Sequence, residues 1–395
     1  MRKPILAAIL FPCAVSFASC SAAQSGDSAA APAASTAQPF KIAEKGTFAA
    51  PWALAIAPGT QTVFVTEKAG TMKFVDLASG RTGSVSGMPQ VVNAGQGGLG
   101  DVAFLPSESA ATLARRTIYI SWAEAAADGS GANLAGAALG RGTLVCPASG
   151  DCAVEGLTVI WRQTPKVASR GHYSHKIAFS PDGRYLFLSS GERQQGAPAQ
   201  DLGNNLGKVL RLNLDGTPAA GNPFAERGGV SREIWSYGLR NLLGLQFDLT
   251  GQLFDIEHGP RGGDEINHIV PGANYGWPVR SNGNDYSGAD IPDHTADDGF
   301  TKPLISWNPV IAPGDFIFYS GKLWPQWRNQ ALIAGMGAQN AMGIIRVSIA
   351  GEKGTEEARH RFDKRLRDIA EAPDGSLLVI EDGAGGRLLH LTPAG

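Results

Sequence analysis

Apolar and polar residues alternate along most of this chain in short runs, and the runs come in pairs separated by turn-forming residues. The pattern is clearest at Trp52 to Glu67, Lys176 to Glu192, Leu245 to Glu257 and Asp368 to Glu381, with a weaker copy from Asp101 to Trp122. Period-two alternation predicts strands, and the Pro-Gly, Pro-Asp-Gly and Thr-Gly steps between runs predict tight turns. Each copy therefore reads as an antiparallel hairpin. A lone hairpin cannot bury both faces, but repeated hairpin units can pack on one another around an axis. The expected fold is all-β, a β-propeller of six blades at roughly 50–60 residues each. No stretch sustains a 3.6-residue apolar period, so helices should be few and short.

Composition agrees. The 395 residues include 51 Gly and 24 Pro, too many helix breakers for a coiled coil or helical bundle, and 43% hydrophobic residues supply a large core. With 34 basic against 36 acidic residues the net charge is −2, which leaves no cationic excess for nucleic acid.

The repeating region runs from 40 to 395. Before it, residues 1–19 read as a secretory leader, with Arg2 and Lys3 ahead of an apolar run from Ile5 to Phe17 that is too short for a permanent span. Phe17-Ala-Ser-Cys20 resembles a lipobox, with Cys20 as the acylated first residue of the mature chain. Ordinary cleavage between Ala18 and Gln24 is the alternative. Residues 20–39, rich in Ala, Ser and Pro, read as a flexible tether. The expectation is a periplasmic protein held on the outer membrane by lipid alone. Cys13 leaves with the leader, and Cys146 and Cys152 flank a turn, which predicts a local disulfide.

A propeller's chemistry resides in its loops. Ala94-Gly-Gln-Gly-Gly-Leu-Gly100 allows close backbone approach and offers the Gln96 amide. Arg170-Gly-His-Tyr-Ser-His-Lys176 precedes a strand and holds two candidate bases, His172 and His175, which spacing alone does not separate. Arg240 and Asn241 pair a permanent cation with an amide. The stretch from Glu257 to Asn267, followed by Pro271 to Pro278, combines carboxylates with exposed carbonyls on Gly/Pro-rich loops, a donor set suited to Ca²⁺. Arg365 and Arg367 fall on one face of a strand, where they repel unless an anion lies between them.

These segments, in this order, resemble the soluble quinoprotein sugar dehydrogenases, in particular the aldose-oxidising branch that uses pyrroloquinoline quinone (PQQ). The most specific matches are Gly95-Gln-Gly-Gly-Leu, Ala199 to Leu212, Asn222-Pro-Phe, Glu233 to Asn241, and His258 to Asn267 with Asn274-Tyr-Gly-Trp-Pro. The resemblance runs from about Pro51 to Leu391. It implies a six-bladed propeller with PQQ over the axial opening and His172 as the base that takes the proton of the anomeric hydroxyl. Hydride would pass to C5 of the quinone and the product would be a lactone. It implies Gln96, Arg240, Asn241, Arg365 and Arg367 as cofactor contacts, with Arg240 polarising the quinone oxygens. It also implies a catalytic Ca²⁺ on the Gly259 and Pro260 carbonyls, a structural Ca²⁺ on the Glu265 carboxylate and Tyr275 carbonyl, and Trp307 as an aromatic near the sugar. An external acceptor would take the electrons.

The chain departs from the family pattern at Met336-Gly-Ala-Gln339, where the better-known glucose enzymes carry a lysine. It departs again at Val310, where relatives have Ser or Thr, and at His172-Tyr-Ser-His. Two other classes fit the same fold: a calcium-dependent propeller lactonase or hydrolase, and a non-catalytic propeller binding glycans or proteins.

Overall fold

The computed structural model describes residues 38–127 and 133–395. The expected leader, Cys20 and nearly all of the tether lie outside the described residues.

The predicted hairpins are present and extend into four-stranded meanders. The strands Pro51–Ile56, Thr62–Glu67, Thr71–Asp76 and Thr82–Ser86 form the first meander. The strands Leu99–Phe104, Arg115–Ala125, Ala135–Val145 and Cys152–Arg162 form the second. A parallel pairing of Val85 with Cys152 and Ser86 with Ala153 joins these two at their outer edges into one eight-stranded sheet. The third runs through Ser174–Phe179, Tyr185–Ser190, Lys208–Asn213 and Ile234–Tyr237. The fourth takes Leu242–Phe247, Leu253–Glu257, Asp264–His268 and Ile305–Trp307. The fifth takes Pro313–Phe318, Ala331–Met336, Met342–Ala350 and Lys353–Arg361.

The last sheet closes the ring. Leu366–Glu371, Leu377–Glu381 and Gly386–Pro393 are completed by Phe40–Phe48 from the other end of the chain, in a register that sets Phe40 against Pro393 and Phe48 against Gly386. The first strand of each meander packs on that of the next, from Pro51–Ile56 around to Leu366–Glu371 and back. The fold is thus an all-β propeller. Helical segments among the described residues are short 3₁₀ turns of at most 5 residues, in keeping with the Gly and Pro content.

Apolar residues fill the spaces between neighbouring sheets. Phe40, Tyr319, Trp324, Trp327, Leu366 and Leu391 form one such layer between the fifth and last sheets. The predicted Cys146–Cys152 disulfide ties the turn between two strands of the second meander. On the axis, the buried Lys176 ammonium lies 3.0 Å from Asp101, 2.6 Å from Asp315 and 3.7 Å from Asp368, so one amine links four inner strands. Burial opposes its charge, yet the facing carboxylates prevail and hold its pKa well above the usual lysine value.

Candidate active site

The inner strands all start at one end of the ring, and the loops leading into them surround a cavity of about 400 Å³ lined by Trp52, Lys68, Gln96, Asn241, Arg365 and Arg367 among others. Four of the sequence-predicted contacts, from segments scattered between residues 96 and 367, therefore line one cavity. Tyr173 and Ser174 line it as well and bring the His172 segment to its edge.

His172 is held from both sides. Its backbone N–H donates to Gln96 Oε1 at 2.7 Å, and its ring Nδ1 is hydrogen-bonded to Glu192 Oε1. The backbone here is left-handed at three non-glycine residues, His172 (φ 48°), Ser174 (φ 56°) and His175 (φ 63°). Strain of this kind costs about 1–3 kcal/mol per residue and persists only where surrounding contacts dictate it. Gly191 is one such contact, because a Cβ there would stand 2.1 Å from the His172 carbonyl oxygen.

Burial, with help from the Arg240 and Arg193 charges, lowers the His172 pKa, and the Glu192 contact only partly opposes it. Burial pushes Glu192 the other way, but the His172 bond, the Gly196 N–H and the Arg240 charge keep it below the usual carboxylate range. The pair is thus a neutral imidazole donating Nδ1–H to a carboxylate, which leaves the lone pair on Nε2. Nε2 makes no hydrogen bond among the described residues and is not one of the buried orphan atoms, so it reaches open space. His175 differs: it is buried, its Nδ1 is 2.8 Å from Ser121 Oγ, and burial pushes its pKa to about 3. The structure separates the two histidines that spacing could not.

Arg240 is clamped by its own backbone. Glu257 Oε2 accepts both the Arg240 and Asn241 N–H groups, at 2.6 and 3.1 Å. The guanidinium Nη1 then donates to the carbonyls of His258 (2.9 Å) and Gly259 (2.7 Å) and lies 5.2 Å from the Trp277 ring centroid. Asp264 shapes the same turn by accepting the Gly259 and Ala312 N–H groups at 2.9 and 2.6 Å. The Gly259 and Pro260 segment thus turns a carbonyl toward a cation already in place. Arg365 and Arg367 are reconciled by Asp382, which pairs with Arg365 Nε at 3.3 Å and with Arg367 Nη2 at 2.5 Å. Trp52 stacks on Arg367 at 4.4 Å.

A second charged cluster lies within the fourth sheet. Glu257 pairs across strands with Glu265, and Asp255 with Asn267. All four are buried, and both Asp255 carboxylate oxygens and Asn267 Oδ1 have no partner among the described residues. Burial, then mutual repulsion, raises Asp255 and Glu265 well above the ordinary carboxylate range. Buried orphan oxygens of this density fit a hard cation with oxygen ligands. Among the described residues no three His, Cys, Asp or Glu side chains are grouped as a ready-made metal cage, so carbonyl oxygens would complete the set. Tyr275 is buried next to this sheet, its hydroxyl donating to the His268 carbonyl at 2.5 Å.

Trp307 is not brought to the cavity. It is 6% exposed within the core of the fourth and fifth sheets and donates its Nε1–H to Glu356 at 2.7 Å, so its ring has no face to offer a sugar. The aromatic residue exposed beside Arg240 is Tyr286, whose hydroxyl is 3.4 Å from Nη2.

Glu192, Asp264, Asp382 and Lys68 were not read as site residues from the sequence. A signal for Glu192 existed: Glu67, Glu192, Glu257 and Glu381 all end repeated hairpins. All four are buried and accept backbone N–H groups.

A propeller with an imidazole–carboxylate pair beside a cation-lined axial cavity defines a class of protein equipped to move a proton next to an anionic ligand, and comparison with known proteins specifies its chemistry. The Glucose / Sorbosone dehydrogenase family model matches residues 48–390. Aldose sugar dehydrogenase YliI of Escherichia coli is 37% identical over 349 residues, 87% of this chain and 90% of that protein. The crystal structure of the soluble aldose sugar dehydrogenase from Escherichia coli in the apo-form superposes with a TM-score of 0.80 at 35% identity, covering 90% of this chain and 99% of that one. The PQQ-bound aldose sugar dehydrogenase from Streptomyces coelicolor superposes at 0.69 with 26% identity, covering 90% and 99%. The chain belongs to the glucose/sorbosone dehydrogenase family of soluble quinoprotein sugar dehydrogenases, and it is an oxidoreductase acting on sugars.

Proposed function

We propose that this chain is a six-bladed, PQQ- and Ca²⁺-dependent aldose dehydrogenase that converts aldoses to lactones and passes the electrons to an external acceptor. The blade count rests on treating the eight-stranded sheet as two blades joined at their rims. The observation carrying the functional reading is the convergence of Gln96, Asn241, Arg365 and Arg367 on one cavity beside the His172–Glu192 pair.

When bound, the quinone would supply the two-electron acceptor for the anomeric hydride, with Ca²⁺ on the Gly259 and Pro260 carbonyls as Lewis acid. Arg365 and Arg367 would hold the cofactor's carboxylates, and Gln96 and Asn241 its polar edge. Arg240 would place a fixed positive charge where negative charge grows. His172 Nε2 would take the proton from the anomeric hydroxyl as the carbon–oxygen double bond forms, while Glu192 stabilises the resulting imidazolium. The buried Asp255, Glu257, Glu265 and Asn267 oxygens, with the Tyr275 carbonyl, would hold the second Ca²⁺.

The test adds PQQ and Ca²⁺ to purified apoprotein and follows cofactor uptake and dye reduction with several aldoses. Saturable uptake with aldose-dependent reduction is expected. Absence of uptake at micromolar PQQ would end the proposal, and lactone hydrolysis without dye reduction would favour a hydrolase. Export and lipid attachment at Cys20 belong to the same reading, supported by Arg2, Lys3 and the Phe17-Ala-Ser-Cys20 stretch. Cys20→Ser should move the protein from the membrane to the soluble periplasmic fraction; unchanged membrane association would exclude a lipid anchor at this residue.

A further inference from the structure

We propose that Lys68 is a further cationic contact for the anionic ligand of the axial cavity, placed on the first meander, apart from the Arg365–Arg367 pair of the last. This rests on the reading above that the ligand is a polycarboxylate.

The backbone of Lys68 is pinned. Its N–H donates to Ala50 O at 2.9 Å, and its carbonyl accepts Leu99 N–H at 3.1 Å. Gly98 packs so tightly on that carbonyl that a Cβ would come within 2.3 Å of the oxygen. From this fixed base the half-buried side chain lines the same cavity as Gln96, Asn241, Arg365 and Arg367. Its Nζ donates to the carbonyl of Gly95, next to the Gln96 that holds His172.

The cavity's charge balance singles this amine out. Arg365 and Arg367 share Asp382. No carboxylate of the described residues lies within ion-pair distance of Lys68 Nζ, which has only a neutral carbonyl as acceptor. His258, also in the wall, spends its Nε2 on the Pro313 carbonyl at 2.7 Å. The lining side chains therefore carry three cations against one carboxylate. Exchanging a carbonyl for a ligand carboxylate converts a neutral acceptor into a charge-assisted one.

Met336 and Gly337 supply no such contact. Met336 presents a thioether, and a Cβ on Gly337 would stand 2.7 Å from the Ile311 carbonyl oxygen. The cation missing there is thus provided by a different blade.

The experiment titrates PQQ, with Ca²⁺ present, into wild type, Lys68→Met, Lys68→Arg and a control at the exposed Lys41, Lys41→Met. Binding is followed by quenching of tryptophan fluorescence at several ionic strengths. Lys68→Met is expected to weaken binding by about tenfold or more and to make it less salt-dependent. Lys68→Arg should stay within about threefold, since it retains the charge without the same point geometry. Lys41→Met should match wild type, and thermal melting of each variant reports folding. Wild-type uptake with an unchanged Lys68→Met affinity and salt dependence overturns the role of Lys68 and leaves the dehydrogenase reading intact. A loss in Lys68→Met accompanied by a collapsed melting transition, with Lys68→Arg equally weak, assigns Lys68 to folding and also overturns it. No uptake by wild type defeats both.

Discussion

In the cofactor-loaded enzyme, His172→Gln is expected to lower kcat by about 10²–10⁴ while PQQ uptake stays near wild type, because general-base catalysis is worth that much and the ring is not one of the cavity's cations. The pH profile carries the mechanism. His172 acts as a base only when neutral, and burial lowers its pKa from 6.5. Activity should therefore be flat near neutrality and fall only as the pH drops through a value below 6.5. Glu192 opposes that lowering. Removing its charge in Glu192→Gln should shift the acid limb to still lower pH and reduce kcat by about tenfold or more, since the imidazolium loses its counter-charge. A Glu192→Gln enzyme with reduced kcat and an unmoved acid limb would make the carboxylate a structural prop. An unimpaired His172→Gln enzyme would remove the base from the mechanism.

Chelation is expected to destabilise the protein markedly. Asp255, Glu257 and Glu265 are buried together, and neither Asp255 oxygen has a partner among the described residues. A cation bound only by the folded state adds about 2.7–4.1 kcal/mol at 100- to 1,000-fold excess over its Kd, read as a fall in Tm of several degrees when chelator is added. Asp255→Asn removes one of the repelling charges. It should raise the Tm of the chelated protein and shrink the difference between calcium-loaded and chelated samples. A Tm indifferent to both chelator and Asp255→Asn would show that these carboxylates bind no cation. The readout is independent of PQQ and of turnover.

The hairpins were legible because their signals are local. Lys176 to Glu192 became Ser174–Phe179 and Tyr185–Ser190, and Asp368 to Glu381 became Leu366–Glu371 and Leu377–Glu381, each joined at its Pro-Asp-Gly step. The weaker copy from Asp101 to Trp122 is weaker for a reason: a connection with a 3₁₀ turn at Pro106–Glu108 replaces the tight turn between Leu99–Phe104 and Arg115–Ala125. The pairing of Phe40–Phe48 with Gly386–Pro393 and the parallel contact of Val85 with Cys152 join segments far apart in the chain. Alternation marks a strand but does not name its partner.

The site divides the same way. Gln96, Asn241, Arg365 and Arg367 were singled out on Gly-rich or strand-end polar segments and given a role by resemblance, and they line one cavity. Trp307 was assigned from resemblance and is a core residue, since a short strand gives no sign of which face carries the indole until its neighbours are known. Asp382 stood among the Gly-rich residues following a hairpin, and only folding set it between two arginines.

Read alone, the residues determined the strand-and-turn grammar, the disulfide and the chemistry each loop offers, because these depend on neighbours within a few positions. Tertiary structure decided which histidine is available as a base, which carboxylates face one another without a counter-ion, and which lysine reaches the cavity. Those outcomes depend on burial and on distances between blades, and an electrostatic environment exists only once the ring has closed.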